Sequence, residues 1–226
     1  MNALSQDFLA KDLLGQLPPV EALARVASLG PQPLIRTGRL TLRRPAARDA
    51  ETIAAGLANY RVSKMLTEVP QPYHLEDAED WLGWLEKDGR GDWVFAITLG
   101  GIRAILAPGA EAANSNAADR LVGVVAIERR NTDGRDGWHI GYWLEESHWG
   151  KGIMSEAVSA VAARFFAAHM GETLHASVMA DNPASLRLQA KRGFDITGVA
   201  EAYSMARAQM VRLITTELTF GGYMPV

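Results

Sequence analysis

Two glycines, Gly150 and Gly152, stand between a strand-like run and a helical run in the stretch IGYWLEESHWGKGIMSEAV. A helix that opens there leaves several amide N–H groups without partners inside the helix. Those donors and the helix dipole favour an anion, a phosphate above all, and glycine lets phosphate oxygens approach the main chain closely. Two common phosphate loops do not fit. Lys151 is followed by Gly152 rather than Ser or Thr, and Ser155 stands where the dinucleotide fingerprint needs a third glycine. Taken alone, the glycine pair is equally compatible with a structural turn. His139 is the titratable residue of most interest nearby: it follows Trp138, alternates with Ile140, and titrates near neutrality. His148 reads as a turn residue and His175 as a strand residue, and no two histidines have metal-ligand spacing with acidic support, so no metal is expected.

The elements that must position these groups follow from hydrophobic periodicity. "RLTLRRP", from Arg39, alternates like a strand, and Asp49 is placed to cap a helix carrying Ile53 and Leu57. After "VPQPYH" comes a second helix with Ala78, Trp81, Leu82 and Leu85 on one face. Strands are expected with Trp93, Phe95, Ile97 and Leu99 on one face, then over 121–128, then with Trp138, Ile140, Tyr142 and Leu144 in register; "RRNTDGRDG" suits a hairpin connection. A helix from about 152 to 168, a strand over 174–179, a helix from Pro183 and a strand-rich tail complete the order. Alternating strands and helices of this kind predict an α/β fold with a mixed sheet.

Two amphipathic segments before residue 33, broken by Pro18 and Pro19, predict an N-terminal helical extension. It would serve as a dimerisation arm, as a lid over a cleft, or as an arm packed on its own domain. The Ala/Asn-rich stretch 100–119 reads as a long loop.

Composition narrows the function classes. Of the 226 residues 48% are hydrophobic and 22% charged, the net charge is −3, and there is no cysteine. Scattered positive charge argues against nucleic acid and anionic membranes. The missing cysteines exclude disulfides, thiolate zinc sites and a cysteine nucleophile. The first twenty residues are interrupted by Asp7, Lys11 and Asp12, unlike a signal peptide, and the longest apolar stretch falls short of the roughly 20 residues that span a bilayer. The expectation is a soluble cytoplasmic protein.

Two stretches together carry a specific resemblance. "IGYWL", "WGKG" and the following "EA", then "NPASLRLQAKRGF" downstream, resemble the GNAT superfamily of N-acetyltransferases and within it the RimJ/RimL-like branch; "RLTLRRP" and "VPQPYHLEDAEDWL" are similar to that branch's N-terminal pattern. The resemblance spans about 36–218. It implies a GNAT-like, mostly antiparallel mixed sheet flanked by helices on both faces, with residues 1–33 as the extension and 34–222 as the acetyltransferase domain. It also implies acetyl-CoA as co-substrate, its diphosphate on the amides of Trp149, Gly150, Lys151, Gly152, Ile153, Met154 and Ser155, with Asn182 a further cofactor contact. The pantetheine arm would bond to main chain at Trp143 and Leu144, between splayed strands.

Acetyl transfer from a thioester to an amine needs a proton acceptor and a donor for the oxyanion. Glu128, at the end of the central strand, is the expected base, with His139 as the alternative. A backbone N–H at a bulge near Leu144 is the expected oxyanion donor. Ser185, by likeness to RimL-type relatives, would protonate the departing sulfur, or else bond to backbone at its helix start. Gln189 stands where many relatives carry a tyrosine acid. The expected reaction is direct transfer in a ternary complex to a primary amine, either a protein N-terminus or a small molecule, and a homodimer is compatible with the extension. The rival readings are an acyl-CoA-binding sensor without catalysis and an interaction module.

Overall fold

The structure is a computed structural model that describes residues 28–87, 91–101, 119–132 and 135–226. The expected N-terminal helices and most of the 100–119 stretch lie outside the described residues. The strands are β1 (Ile35–Arg36), β2 (Thr41–Arg43), β3 (Trp93–Thr98), β4 (Leu121–Thr132), β5 (Arg135–Leu144), β6 (Leu174–Met179), β7 (Asp195–Ser204) and β8 (Gln209–Leu218). They form a single 8-stranded sheet in the order β1-β2-β3-β4-β5-β6-β8-β7. Every neighbouring pair is antiparallel except β5 and β6. The helices are α1 (Ala50–Ala58), α2 (Tyr60–Ser63), α3 (Leu75–Lys87), α4 (Ile153–Ala168) and α5 (Pro183–Arg192). This is the α/β, mostly antiparallel mixed fold expected from the sequence. No helix of the described residues is long and apolar enough to cross a membrane.

Each sheet face has its own core. The α4 side chains Ile153, Ala157, Val158, Val161, Phe165 and Phe166 pack on Leu40, Leu42, Phe95, Ile127, Trp138 and Ile140. On the opposite face Ile53 and Leu57 of α1 and Ala78, Leu82 and Leu85 of α3 cover Val94, Ala96, Val124 and Ala126. Cover on both faces explains why every residue of β3 is buried, where the alternation alone predicted a single buried face. Leu99 lies beyond the strand and is exposed.

Asp49 departs from its expected role. It precedes α1 but makes no side-chain capping bond to that helix. Its carboxylate instead accepts from Ala46 N–H and from both terminal nitrogens of Arg43, each at 2.8 Å. The carboxylate therefore ties β2 to the entry of α1.

The feature that shapes the site is the parallel pair. A parallel connection needs a crossover, which α4 supplies. The β5–β6 ladder has only the rungs Trp138↔Leu174 and His139↔His175. β5 continues to Leu144 and β6 to Met179 without further pairing to each other, so the strands diverge past His139.

Candidate active site

The glycine turn closes the wide end of this opening. Gly150 and Gly152 have φ of 74° and 72°, left-handed backbone that costs other residues roughly 1–2 kcal/mol. The conformation turns the chain into α4 without a side-chain cap. The first amide after the turn to bond backward is that of Glu156, to Gly152 C=O at 3.1 Å. Among the described residues the amides of Gly150, Lys151, Gly152, Ile153, Met154 and Ser155 have no hydrogen-bond acceptor across the turn and first helical turn. A Cβ built on Gly150 would meet nothing within 4 Å, so the approach to these donors is open. The side chains of Ile153 and Met154 are buried in the core, which leaves their main chain as the part that can be offered outward.

Trp149 corrects the expected donor set. Its amide is taken by Glu146 C=O at 3.0 Å, and its indole Nε1 donates to Leu144 C=O at 2.8 Å. The Arg61 guanidinium lies 5.8 Å from the ring centroid. Trp149 therefore braces the turn against β5 and α2.

Arg39 is a neighbour that sequence reasoning missed. Its Nη1 donates to Lys151 C=O at 2.9 Å and its Nε to Glu156 at 2.6 Å, while Nη2 lies 3.5 Å from the Cβ position of Gly152. Glu156 also accepts from Thr37 Oγ1 at 2.5 Å. Burial pushes the Glu156 carboxyl up, but the bonds from Thr37 and Arg39 outweigh it and hold the group below its ordinary value. A carboxylate in the first helical turn is thus neutralised by an arginine at the mouth of the turn, which keeps the local field suited to an anion.

Along the open flank the antiparallel register decides which main-chain groups are available. Glu145 N–H donates to Val122 C=O at 2.9 Å, which sets the alternation of the β4–β5 ladder. Trp143, opposite Val124, turns its N–H and C=O toward β4; Tyr142 and Leu144 turn theirs toward the gap. The Trp143 ring packs with the opposite core, beside Gly56. Of the two expected pantetheine positions, Leu144 therefore faces the opening and Trp143 does not. The expected bulge is also absent, since the β4–β5 register runs unbroken from Gly123↔Leu144 to Thr132↔Arg135. Divergence of β6 frees the Leu144 N–H instead.

Ser185 and Asn182 approach the same opening from α5. Asn182 Oδ1 accepts from Ser185 N–H at 3.1 Å and caps the helix, the structural role open to an asparagine before proline. Ser185 Oγ does not bond to backbone; it lies 2.7 Å from the hydroxyl of Tyr142. Tyr142 packs on the α4 side of the sheet, and Gln189 in α5 is a further hydrogen-bond partner of its hydroxyl. Burial raises the Tyr142 phenol, against these two hydrogen bonds, which lower it.

The expected bases sit on the other face. Glu128 pairs across the ladder with His139, and His139 with His175 on β6. The strands part just beyond this row. Glu128 Oε2 accepts from Arg130 Nε at 3.0 Å and Nη2 at 2.7 Å, and Arg130 Nη1 donates to Glu68 at 2.8 Å. Glu128 Oε1 has no hydrogen-bond partner among the described residues. Burial, then the neighbouring His175 and Arg130, push the His139 imidazole down to about 4, so it is neutral at physiological pH. The two imidazole rings are 5.4 Å apart. Thus the structure brings Glu128 and His139 side by side, and it places Ser185 and Asn182 across the sheet from them.

A family model of the acetyltransferase (GNAT) domain matches residues 39–195. The uncharacterized N-acetyltransferase YoaA of Bacillus subtilis is 31% identical over 171 residues, covering 76% of this chain and 88% of the relative. The ribosomal-protein-serine acetyltransferase of Escherichia coli is 35% identical over 82 residues, covering 35% of this chain and 44% of the relative. The solved structure of RimL, a ribosomal alpha-N-protein acetyltransferase in complex with coenzyme A, superposes with a TM-score of 0.63 at 18% identity, covering 84% of this chain and 98% of that one. With a helix start of unpartnered amides, a parted parallel strand pair and these similarities together, the chain belongs to the GNAT family of acetyltransferases, resembles its RimJ/RimL-like branch, and is an enzyme of acetyl-CoA-dependent acetyl transfer.

Proposed function

We propose that the enzyme transfers acetyl directly from acetyl-CoA to a primary amine in a ternary complex, with the N-terminal amine of a protein as the first acceptor class and a small-molecule amine as the second. The observation that carries this reading is the parting of β5 and β6 just past His139 and His175, which opens the sheet between the two sets of reactive groups. The diphosphate rests on the bare amides at the start of α4, where Arg39 offsets the charge of Glu156 and turns Nη2 toward Gly152. Main-chain groups of Tyr142 and Leu144 hold the arm in the gap. The thioester then lies at the narrow end, and the amine reaches it from the face that carries Glu128 and His139.

On this reading Glu128, through its free Oε1, takes the proton of the attacking amine directly or through water. The Tyr142 N–H, which faces the opening two residues nearer its narrow end than Leu144, stabilises the oxyanion. When the C–S bond breaks, Ser185 gives its proton to sulfur. The absence of cysteine removes the most nucleophilic side chain that a covalent relay would use. The Escherichia coli relative is named a ribosomal-protein-serine acetyltransferase and RimL an alpha-N-protein acetyltransferase, and these names are what rank a protein N-terminus first.

Initial rates measured over a grid of acetyl-CoA and amine concentrations test the reading. The amines are peptides with free N-termini, a polyamine and an aminoglycoside. Intersecting reciprocal plots with a peptide acceptor are expected. Parallel plots would contradict direct transfer, and turnover confined to the polyamine or aminoglycoside would move the acceptor to the second class.

A further inference from the structure

The acid step would fall to a bare serine on α5, because Gln189 stands where a tyrosine would serve. The structure brings a tyrosine to the same place from β5. Its hydroxyl ends a short chain of buried polar groups whose direction can be read. Thr216 Oγ1 donates to Gln189 Oε1 at 2.8 Å, and both side chains are almost fully buried. With its oxygen so engaged, Gln189 has only its NH2 left to turn toward the neighbouring Tyr142 hydroxyl, and the phenol, the more acidic of the two hydroxyls, is the better donor to Ser185. The single hydrogen of that hydroxyl is then left for Ser185 Oγ, 2.7 Å away. Ser185 is itself held by the bond from its N–H to Asn182. Accepting from Tyr142, it keeps its own hydrogen for an outside partner.

We propose that Tyr142 is a positioning residue for thiol departure: oriented by Gln189, it donates to Ser185 Oγ and thereby commits the Ser185 hydrogen to the sulfur of coenzyme A. This rests on the acetyl-CoA reading above. As the C–S bond breaks, its electron pair goes to sulfur and sulfur takes the Ser185 proton. The proton removed from the amine reaches Ser185 through water as the Ser185 proton passes to sulfur, so no alkoxide forms beside the more acidic Tyr142 phenol. Tyr142 stays protonated throughout, in keeping with the burial that raises its phenol.

The test uses the full chain, acetyl-CoA and a peptide with a free N-terminal serine, or water as the acceptor at high enzyme concentration if the peptide is not turned over. Because the chain has no cysteine, a thiol reagent reads the released coenzyme directly. Tyr142→Phe is expected to lower kcat about tenfold, at the low end of acid–base effects, with KM for acetyl-CoA and the calorimetric affinity for coenzyme A changed less than about twofold. Ser185→Ala with Tyr142→Phe is expected to be no slower than Ser185→Ala alone, since one residue acts through the other. Unchanged kcat in Tyr142→Phe, or a double variant that loses the product of both single effects, overturns the proposal and leaves the function intact. Should Tyr142→Phe fail to fold, Gln189→Met takes its place: a lower kcat at unchanged KM supports the proposal and unchanged kcat overturns it. A wild-type chain that binds no coenzyme A instead refutes the function itself.

Discussion

The two sides of the β5–β6 opening are built from different material. On the α4 side the contacts offered to a ligand are main-chain amides from Gly150 to Ser155, the Leu144 N–H and two neutral hydroxyls, with one arginine at the rim. On the opposite side they are side-chain charges, Glu128, Arg130 and Glu68, beside two imidazoles. A main-chain site depends on backbone conformation, so it tolerates most side-chain changes except at the residues that set φ. A side-chain site can be rewritten by single substitutions. On the proposed function the α4 side is therefore the half suited to a fixed coenzyme, and the Glu128 side the half suited to a chosen amine.

Four substitutions sharpen or break that division. The largest effect is expected at Glu128: Glu128→Gln should lower kcat/KM for the amine about 100-fold or more while coenzyme A affinity holds, because a proton acceptor is lost and no phosphate contact is touched. Steady-state kinetics beside calorimetry checks this. Equal losses in both measurements would mean that the two halves are not separable.

Gly152→Val should do the reverse, weakening coenzyme A about 100-fold through strained φ and lost charge-assisted bonds. Calorimetry reads the loss, and a thermal melt should show the fold retained with lowered stability. Arg39→Ala is expected to weaken coenzyme A about tenfold, the worth of one charge-assisted contact. Raising the salt should narrow the difference between wild type and this variant, since the side chain is partly exposed.

The smallest effect concerns His139 and stability. Its imidazole is held at about 4 in the fold, below the ordinary value of about 6.5. Between these values the unfolded chain binds the proton and the folded chain does not. The fold therefore loses stability as pH falls from about 6.5 toward 4, while above 6.5 the group contributes no pH dependence. Denaturant titrations at pH 7 and pH 5 should show a smaller difference for His139→Gln than for wild type.

The same contrast explains what the sequence could reveal. The glycine turn and α4 were legible because periodicity and φ-permissive residues are local signals, and the strands of the sheet likewise. Alternation along β5 assigned side-chain faces correctly. It could not say that Tyr142 and Leu144, rather than Trp143, open their main chain to the gap, because that depends on the partner strand. The hairpin signal in RRNTDGRDG was read without its register: with Thr132 paired to Arg135, Glu128 falls opposite His139. Arg39 and Glu156 lie 117 positions apart, and Tyr142 and Ser185 lie 43 apart. Nothing local in either segment announces such pairs; they exist only after the sheet has assembled.

The central claim is that unpartnered amides at the start of α4 bind the diphosphate of coenzyme A. Calorimetric titration of the whole chain with acetyl-CoA and, separately, with acetyl-pantetheine, which has the same thioester arm and no diphosphate, addresses it most directly. The account predicts one site for acetyl-CoA and at least about 100-fold weaker binding of acetyl-pantetheine. Equal affinity for the two would contradict it.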